Sequence, residues 1–377
     1  MKTKEEFQRE GTKAIAENGN CLIAAATGVG KSKIVIDYLK FFCNSTSKFL
    51  LVVPTEKLRD EDWKAEFIKW DAEYIWYSRV TKICYASLLE HPIKNYDVVI
   101  LDEIQNITEN NSKYFDNSFI KKIIGLSATL PKEIEKDLII RGKLQMKVVF
   151  DVPIDVAVAN KLISPFEITV IEIELDNTIK SIKGGSKEKS FMQTEFSAYW
   201  YLSEEIEKQK ELNPAKAKFL ILKRMRLIYS SPQKTLIAKN IISQIPEKEK
   251  VLIFAGSIKQ AVELYPYTYH SKSKKKDKDK DLLAFDKGEI TRLSCVASLN
   301  EGVNINSVDT AVITQVTSKD RHLIQRIGRI VRYRENHIGQ IYIIIIKNTV
   351  DEKWLYNALS GISNIVLKFT NYKDLKI

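Results

Sequence analysis

The stretch Ala24-Ala25-Ala26-Thr27-Gly28-Val29-Gly30-Lys31-Ser32 constrains the fold of this chain more than any other. It follows an apolar run, Cys21 to Ala25, that reads as a buried strand, and it opens a helical pattern from Lys31 to Phe42. A glycine-rich turn between strand and helix lets backbone N–H groups curl around phosphate oxygens. The helix N-terminus adds partial positive charge at the same point. In the general G-x-x-x-x-G-K-[ST] pattern the first glycine is Ala25 here. Thr27, Gly28, Val29 and Gly30 would form the cradle. Lys31 would face the β- and γ-phosphates, and Ser32 would offer its hydroxyl to Mg²⁺. The bland alternative is a chance match in a turn, which the strand–loop–helix setting disfavours.

Around this loop, short apolar runs alternate with amphipathic stretches. Phe49 to Val53, Val98 to Leu101 and Ile123 to Leu126 read as strands, and Thr55 to Trp70 as a helix. Such alternation implies a mostly parallel sheet flanked by helices. Val158 to Pro165 reads as a crossing segment and Phe166 to Leu175 as a strand. Thr178 to Ser190 reads as a flexible loop. Phe191 to Ile245 reads as mainly helical, broken at Asn213-Pro214 and Ser231-Pro232. A second alternation begins at Val251, with strands at Leu293 to Ala297, Thr310 to Thr314 and Ile341 to Ile346, and helices at Lys259 to Leu264 and Arg321 to Val331. The expectation is two α/β domains, 1–165 and 166–377, the second with a helical insert.

Asp102-Glu103-Ile104-Gln105 follows the strand Asp97 to Leu101, and ligand sites in open α/β sheets lie at the carboxyl ends of strands. Asp102 can hold Mg²⁺, and Glu103 can position or deprotonate an attacking water. In the second half, Gln325 to Arg332 falls on a helix pattern. There Arg329 and Arg332 share a face and could reach a γ-phosphate as arginine fingers. A solvent-facing basic helix is the alternative.

Charge is uneven. Residues 1–165 carry 24 Lys/Arg against 23 Asp/Glu, whereas 166–377 carry 35 against 25. A basic second half suggests a polyanionic partner. The run Lys272 to Lys280 reads as a solvated loop, and His270 beside it as a surface residue. Trp63, Trp70, Tyr74, Trp76 and Tyr77 could stack bases, but their spacing favours core packing. Arg224 and Arg226 fit either a phosphate contact or a solvated face. Four dispersed cysteines argue against a disulfide framework or a zinc site and fit a reducing cytosol. The charged start does not fit a signal peptide, and no apolar run is long enough to span a membrane.

Taken in order, these elements resemble a superfamily 2 helicase motor, an ATPase of two tandem RecA-like domains that binds nucleic acid. The resemblance implies roles residue by residue. Gln8 resembles the glutamine that reads adenine. Ala25 to Ser32 is similar to motif I, and Val53-Pro54-Thr55 to motif Ia, whose Thr contacts the nucleic-acid backbone. Asp102 to Gln105 is a D-E-x-Q form of motif II. Ser127-Ala128-Thr129 resembles motif III, which couples hydrolysis to domain movement. Val251 to Phe254 resembles motif IV. Leu299 to Ile305 resembles motif V, with Gly302 and with Asn304 where many relatives have Asp. Gln325 to Arg332 resembles motif VI.

Asn160 to Phe166 and Trp63 to Phe67 are similar to segments of phage branch-migration helicases and restriction-enzyme motor subunits, which act mainly on DNA. The expectation is therefore an ATP- and Mg²⁺-dependent helicase. DNA is favoured over RNA as its track, with 3′–5′ polarity. It would be a monomer in the cytoplasm of a bacterial or phage-infected cell, with a protein partner as one source of specificity. Three alternatives stand beside it: a double-stranded DNA translocase, a nucleic-acid-binding module with a degenerate ATPase, and an RNA helicase.

Overall fold

The structure is a computed structural model. It describes every residue except 1, 93–94, 118, 129–132, 186–188, 297–307, 318–322, 324–333, 335–336, 360–366, 373–374 and 376–377.

The first unit is built on strands β1 (Cys21–Ala25), β2 (Phe49–Val53), β3 (Val80–Cys84), β4 (Tyr96–Leu101), β5 (Ile120–Ser127) and β6 (Lys147–Val152). They pair in parallel in the order β3-β2-β4-β5-β1-β6. Successive side chains of a strand point to opposite faces, and helices cover both faces of a parallel sheet. That is why the central strands are unbroken apolar runs. Ile23, Leu51 and Ile100 enter one core with Ile34, Trp63 and Phe67. Leu22, Leu50 and Val99 enter another with Ile104 and Met146.

Helix α1 (Lys4–Glu17) begins with a capping box. Thr3 Oγ1 accepts from the Glu6 N–H, and the Thr3 N–H donates back to the Glu6 carboxylate. Helix α2 (Lys31–Phe41) packs beside it, with Ile34 against Gly11. The segment read as one helix from Thr55 to Trp70 divides into a π-type turn at Leu58–Asp62 and helix α3 (Trp63–Lys69).

The second unit holds strands β7 (Phe166–Ile173), β8 (Ile182–Gly185), β9 (Ser190–Gln193), β10 (Val251–Phe254), β11 (Thr268–Tyr269), β12 (Arg292–Cys295), β13 (Thr310–Ile313), β14 (Gly339–Ile346) and β15 (Leu367–Asn371). Seven of them form a parallel sheet in the order β11-β12-β10-β13-β14-β7-β15. Strands β8 and β9 form a separate antiparallel hairpin. This corrects the reading of Thr178 to Ser190 as a flexible loop.

Between β9 and β10 lie the helices Glu195–Leu212, Pro214–Tyr229 and Pro232–Gln244. Asn213 and Ser231 cap the second and third, each followed by proline at the first helical position. Pro232–Gln244 carries Lys234, wholly buried, whose Nζ donates to the Thr314 carbonyl at 2.9 Å and to buried Asp351 at 2.6 Å. Among the described residues no helix is long and apolar enough to cross a membrane.

Two further expectations are corrected. The lysine run enters a helix, Lys275–Lys287, anchored by buried Leu282 and Phe285 and closed by left-handed Gly288. His270 is buried, with Ser273 Oγ 3.1 Å from its Nδ1. The helix expected at Arg321 to Val331 lies outside the described residues but for Leu323.

Candidate nucleotide site

The sheet order places β2, β4, β5 and β1 side by side. Their carboxyl ends therefore align Thr55, Asp102, Ser127 and the loop Ala26–Gly30 along one edge. The loop turns through left-handed backbone at Gly28 (φ 96°) and Gly30 (φ 105°), which only glycine adopts without strain. Beneath it sits Gln8, buried, whose Nε2 donates to the Val29 carbonyl at 3.0 Å. A Cβ on Gly30 would run into that same amide. On the outer side, a Cβ on Gly28 would lie 3.2 Å from Ile163 in the crossing segment. Gly30 also begins α2 with no side-chain cap, so its first N–H groups suit an anion. Thr27 and Ser32 flank the loop, each half-buried.

Lys31 Nζ donates to the Ala25 carbonyl at 2.7 Å. Burial pushes its ammonium pKa down, and the carboxylates of Glu103 and Asp102 pull it back up. Asp102 is itself buried. Desolvation and the neighbouring Glu103 raise its pKa to about 7, against the stabilising Trp63 hydrogen bond and Lys31. Its Oδ2 accepts from Trp63 Nε1 at 2.8 Å and its Oδ1 from the Glu103 N–H at 3.0 Å. The Tyr85 hydroxyl donates to the Asp102 carbonyl at 3.0 Å. A carboxylate kept from water beside a second carboxylate suits a hard dication, which would offset its desolvation. The donor set of Asp102 and Ser32 thus fits Mg²⁺.

Glu103 takes a left-handed conformation (φ 47°), uncommon for a residue with a side chain, and starts the turn Ile104–Asn106. Gln105 Nε2 donates to the Glu103 carboxylate, and Ser127 Oγ donates to Gln105 Oε1 at 2.9 Å. A hydrogen-bonded path therefore runs from the end of β5 to Glu103. Thr55 is half-buried, and its Oγ1 accepts from the Leu58 N–H at 3.4 Å.

The structure thus brings together Gln8, Gly28, Val29, Gly30, Lys31, Asp102, Glu103, Gln105 and Ser127. Thr129, Gly302, Asn304, Gln325, Arg329 and Arg332 lie outside the described residues. Two contributors were missed in the sequence, Trp63 and Tyr85. The aromatic group around Trp63 is itself divided: Trp63 and Trp76 are buried, Trp70 is partly so, and Tyr74 and Tyr77 are exposed. Arg224 donates to Ser203 Oγ at 3.1 Å, within the helical insert.

Two family models match the chain. "Type III restriction enzyme, res subunit" matches residues 2–82, and "Helicase conserved C-terminal domain" matches residues 221–334. Among solved structures, the Mycobacterium smegmatis helicase Lhr bound to ssDNA and AMP-PNP is 14% identical with a TM-score of 0.59, over 94% of this chain and 48% of that one. The ATP-dependent Type ISP restriction-modification enzyme LlaBIII bound to DNA is 12% identical with a TM-score of 0.63, over 98% and 31%. S. cerevisiae Dbp5 bound to RNA and ADP BeF3 is 12% identical with a TM-score of 0.61, over 98% and 90%. The chain thus spans about half the length of Lhr and under a third of LlaBIII. No curated protein sequence matches it.

The fold is two parallel-sheet α/β units flanked by helices, matching tandem RecA-like domains. The two matched models and these solved structures make the chain similar to superfamily 2 helicases and restriction-enzyme motors.

Proposed function

We propose that the protein hydrolyses ATP to drive movement along nucleic acid, with DNA as the favoured track and strand separation as the favoured outcome. The observation that carries this reading is the charge arrangement at the carboxyl edge of the first sheet. Lys31 at the phosphate loop is electrostatically coupled to Glu103 and Asp102, two strands away in the sheet.

The backbone N–H groups from Gly28 to Lys31 would bind the β- and γ-phosphates, and Lys31 would neutralise them. Asp102 and Ser32 would hold Mg²⁺, which supplies charge neutralisation between the phosphates. Glu103 would orient the attacking water and take its proton. Gln8 would read the adenine while supporting the loop through Val29. By the resemblance, Arg329, Arg332, Gln325, Gly302 and Asn304 would also serve the ATP site. Ser127, Thr129 and Gln105 would report hydrolysis, and Thr55 would grip a phosphate of the track.

The bias toward DNA rests on the resemblance at Asn160 to Phe166 and Trp63 to Phe67, and 3′–5′ movement on the direction most proteins of the resembled family take. A double-stranded DNA translocase is the second reading, on that same resemblance. A strand-displacement assay run beside a triplex-displacement assay separates the two. Release of a 3′-tailed duplex strand supports the helicase. Triplex displacement without duplex release supports the translocase.

A further inference from the structure

The three helices between β9 and β10 handle charge differently. Helix Glu195–Leu212 carries five glutamates and two lysines, and both lysines are paired, Lys208 with Glu205 and Lys210 with Glu207. Helix Pro232–Gln244 carries two lysines, and both are paired, Lys234 with Asp351 and Lys239 with Glu263. Helix Pro214–Tyr229, between them in sequence, carries five basic residues and no acidic one. None of these five has an ion-pair partner among the described residues.

Arg224 and Arg226 each fitted a phosphate contact or a solvated face by sequence, and the structure separates them. Arg224 is half-buried, donates to Ser203 Oγ at 3.1 Å and lies 5.6 Å over the Tyr199 ring, so it serves the packing of the insert. Arg226 is exposed, as are Lys216, Lys218 and Lys223. Spacings of three, four and three residues put Lys216, Phe219, Lys223 and Arg226 on one stripe, turned away from buried Ala217, Leu220 and Ile228. This placement runs against the helix's own preference. Lysines near a helix N-terminus oppose its dipole, and like charges three residues apart repel. The stripe therefore holds positive charge that nothing on its own helix offsets.

We propose that Lys216, Lys223 and Arg226 form a nucleic-acid backbone contact outside the segments that resemble helicase motifs. Lys216 and Arg226 are separated by about 15 Å of helix at about 1.5 Å per residue. One strand of a duplex carries about four phosphates over that length. A regular row of cations thus meets a regular row of anions. The excess of 35 basic over 25 acidic residues in 166–377 favours the same polyanion. A helix lying on a membrane would need a broad apolar face, whereas the exposed side here sets four cations against Phe219 and Leu222. The inference rests on the nucleic-acid reading above and adds a contact to it.

The test uses the full chain and a fluorescently labelled blunt DNA duplex, followed by anisotropy across a salt series. The triple variant Lys216→Ala, Lys223→Ala, Arg226→Ala keeps good helix formers at exposed positions, and a melting curve confirms its fold. It is expected to bind roughly 10- to 100-fold more weakly at low salt, with the log–log salt slope flattened by roughly 0.9 for each lost phosphate contact. A control with the same change in net charge, Lys208→Ala, Lys210→Ala, Lys239→Ala, removes lysines that are already paired. It is expected to stay within about 3-fold of the parent. Undiminished binding by the first variant overturns the inference, and so does an equal loss in both, which would report net charge alone. Affinity for poly-glutamate or for phosphatidylserine vesicles that matches the affinity for DNA, and is lost in the same variant, assigns the stripe to another partner and also overturns it. If the parent chain binds no nucleic acid, the nucleic-acid reading itself fails and takes this inference with it, a result distinct from the others.

Discussion

The indole N–H of Trp63 donates to the Asp102 carboxylate at 2.8 Å, across 39 positions of sequence. One residue thus serves two structures: its ring packs 6.1 Å from Phe67 in the core, and its edge holds the proposed metal ligand. Removing the donor while keeping the ring separates the roles. In Trp63→Phe, Asp102 loses a hydrogen bond to a charged group, worth about 1.5–3 kcal/mol. The Mg²⁺ concentration for half-maximal ATP hydrolysis is expected to rise roughly 10-fold, with little change in thermal stability. Titration of turnover with Mg²⁺ beside a melting curve reads both.

Gly30 meets two demands at once, a left-handed backbone and room for the Gln8 amide. Gly30→Ala violates both. It is expected to raise KM for ATP more than about 10-fold, since backbone strain of this kind costs about 1–3 kcal/mol and the loop must also shift. Adding Gln8→Ala removes the collision but not the strain, so only part of the loss returns. Full rescue by the double variant would show that φ at position 30 does not matter.

The path from Ser127 through Gln105 to Glu103 joins the end of β5 to the proposed water-positioning carboxylate. Ser127→Ala breaks its first bond. ATP turnover is expected to stay within a few-fold of the parent while base pairs opened per ATP fall about 10-fold. Parallel phosphate-release and strand-displacement assays give that ratio, and an unchanged ratio removes Ser127 from coupling.

In the second unit, Lys234 and Asp351 form an ion pair with both side chains wholly buried. Breaking such a pair strands a charge and costs about 3–5 kcal/mol, whereas replacing both partners by apolar groups can be nearly neutral. Lys234→Met is expected to lower the urea midpoint of the second unit's unfolding. Lys234→Met with Asp351→Leu is expected to recover most of it.

How much of this was legible in the sequence depended on whether local residues decided the outcome. Strand Phe49–Val53 was read to the residue because all five side chains are buried, leaving no polar position to blur the run. The insert's breaks were equally plain, since Asn213-Pro214 and Ser231-Pro232 are capping signals in themselves. Strands β3 and β6 escaped notice. Both lie at sheet edges and carry half-exposed or exposed side chains such as Lys82 and Lys147, so their apolar pattern is broken. The hairpin was hidden by its glycines, and the helix Lys275–Lys287 by charges that conceal Leu282 and Phe285. At the site, the phosphate loop and Asp102-Glu103 were visible as motifs. The contacts of Trp63, Tyr85 and Gln8 were not, because each is made by distant parts of the chain meeting through the sheet order.

The most direct measurement is the ATPase rate with no polymer, single-stranded DNA, double-stranded DNA, a branched junction and RNA, for the parent chain and for Lys31→Ala and Glu103→Gln. Strong stimulation of the parent chain by a DNA polymer is expected, with turnover abolished in both variants while they still bind that polymer. Turnover that no polymer changes, or that survives in Lys31→Ala and Glu103→Gln at the parent rate, would contradict an ATP-driven motor centred on these residues.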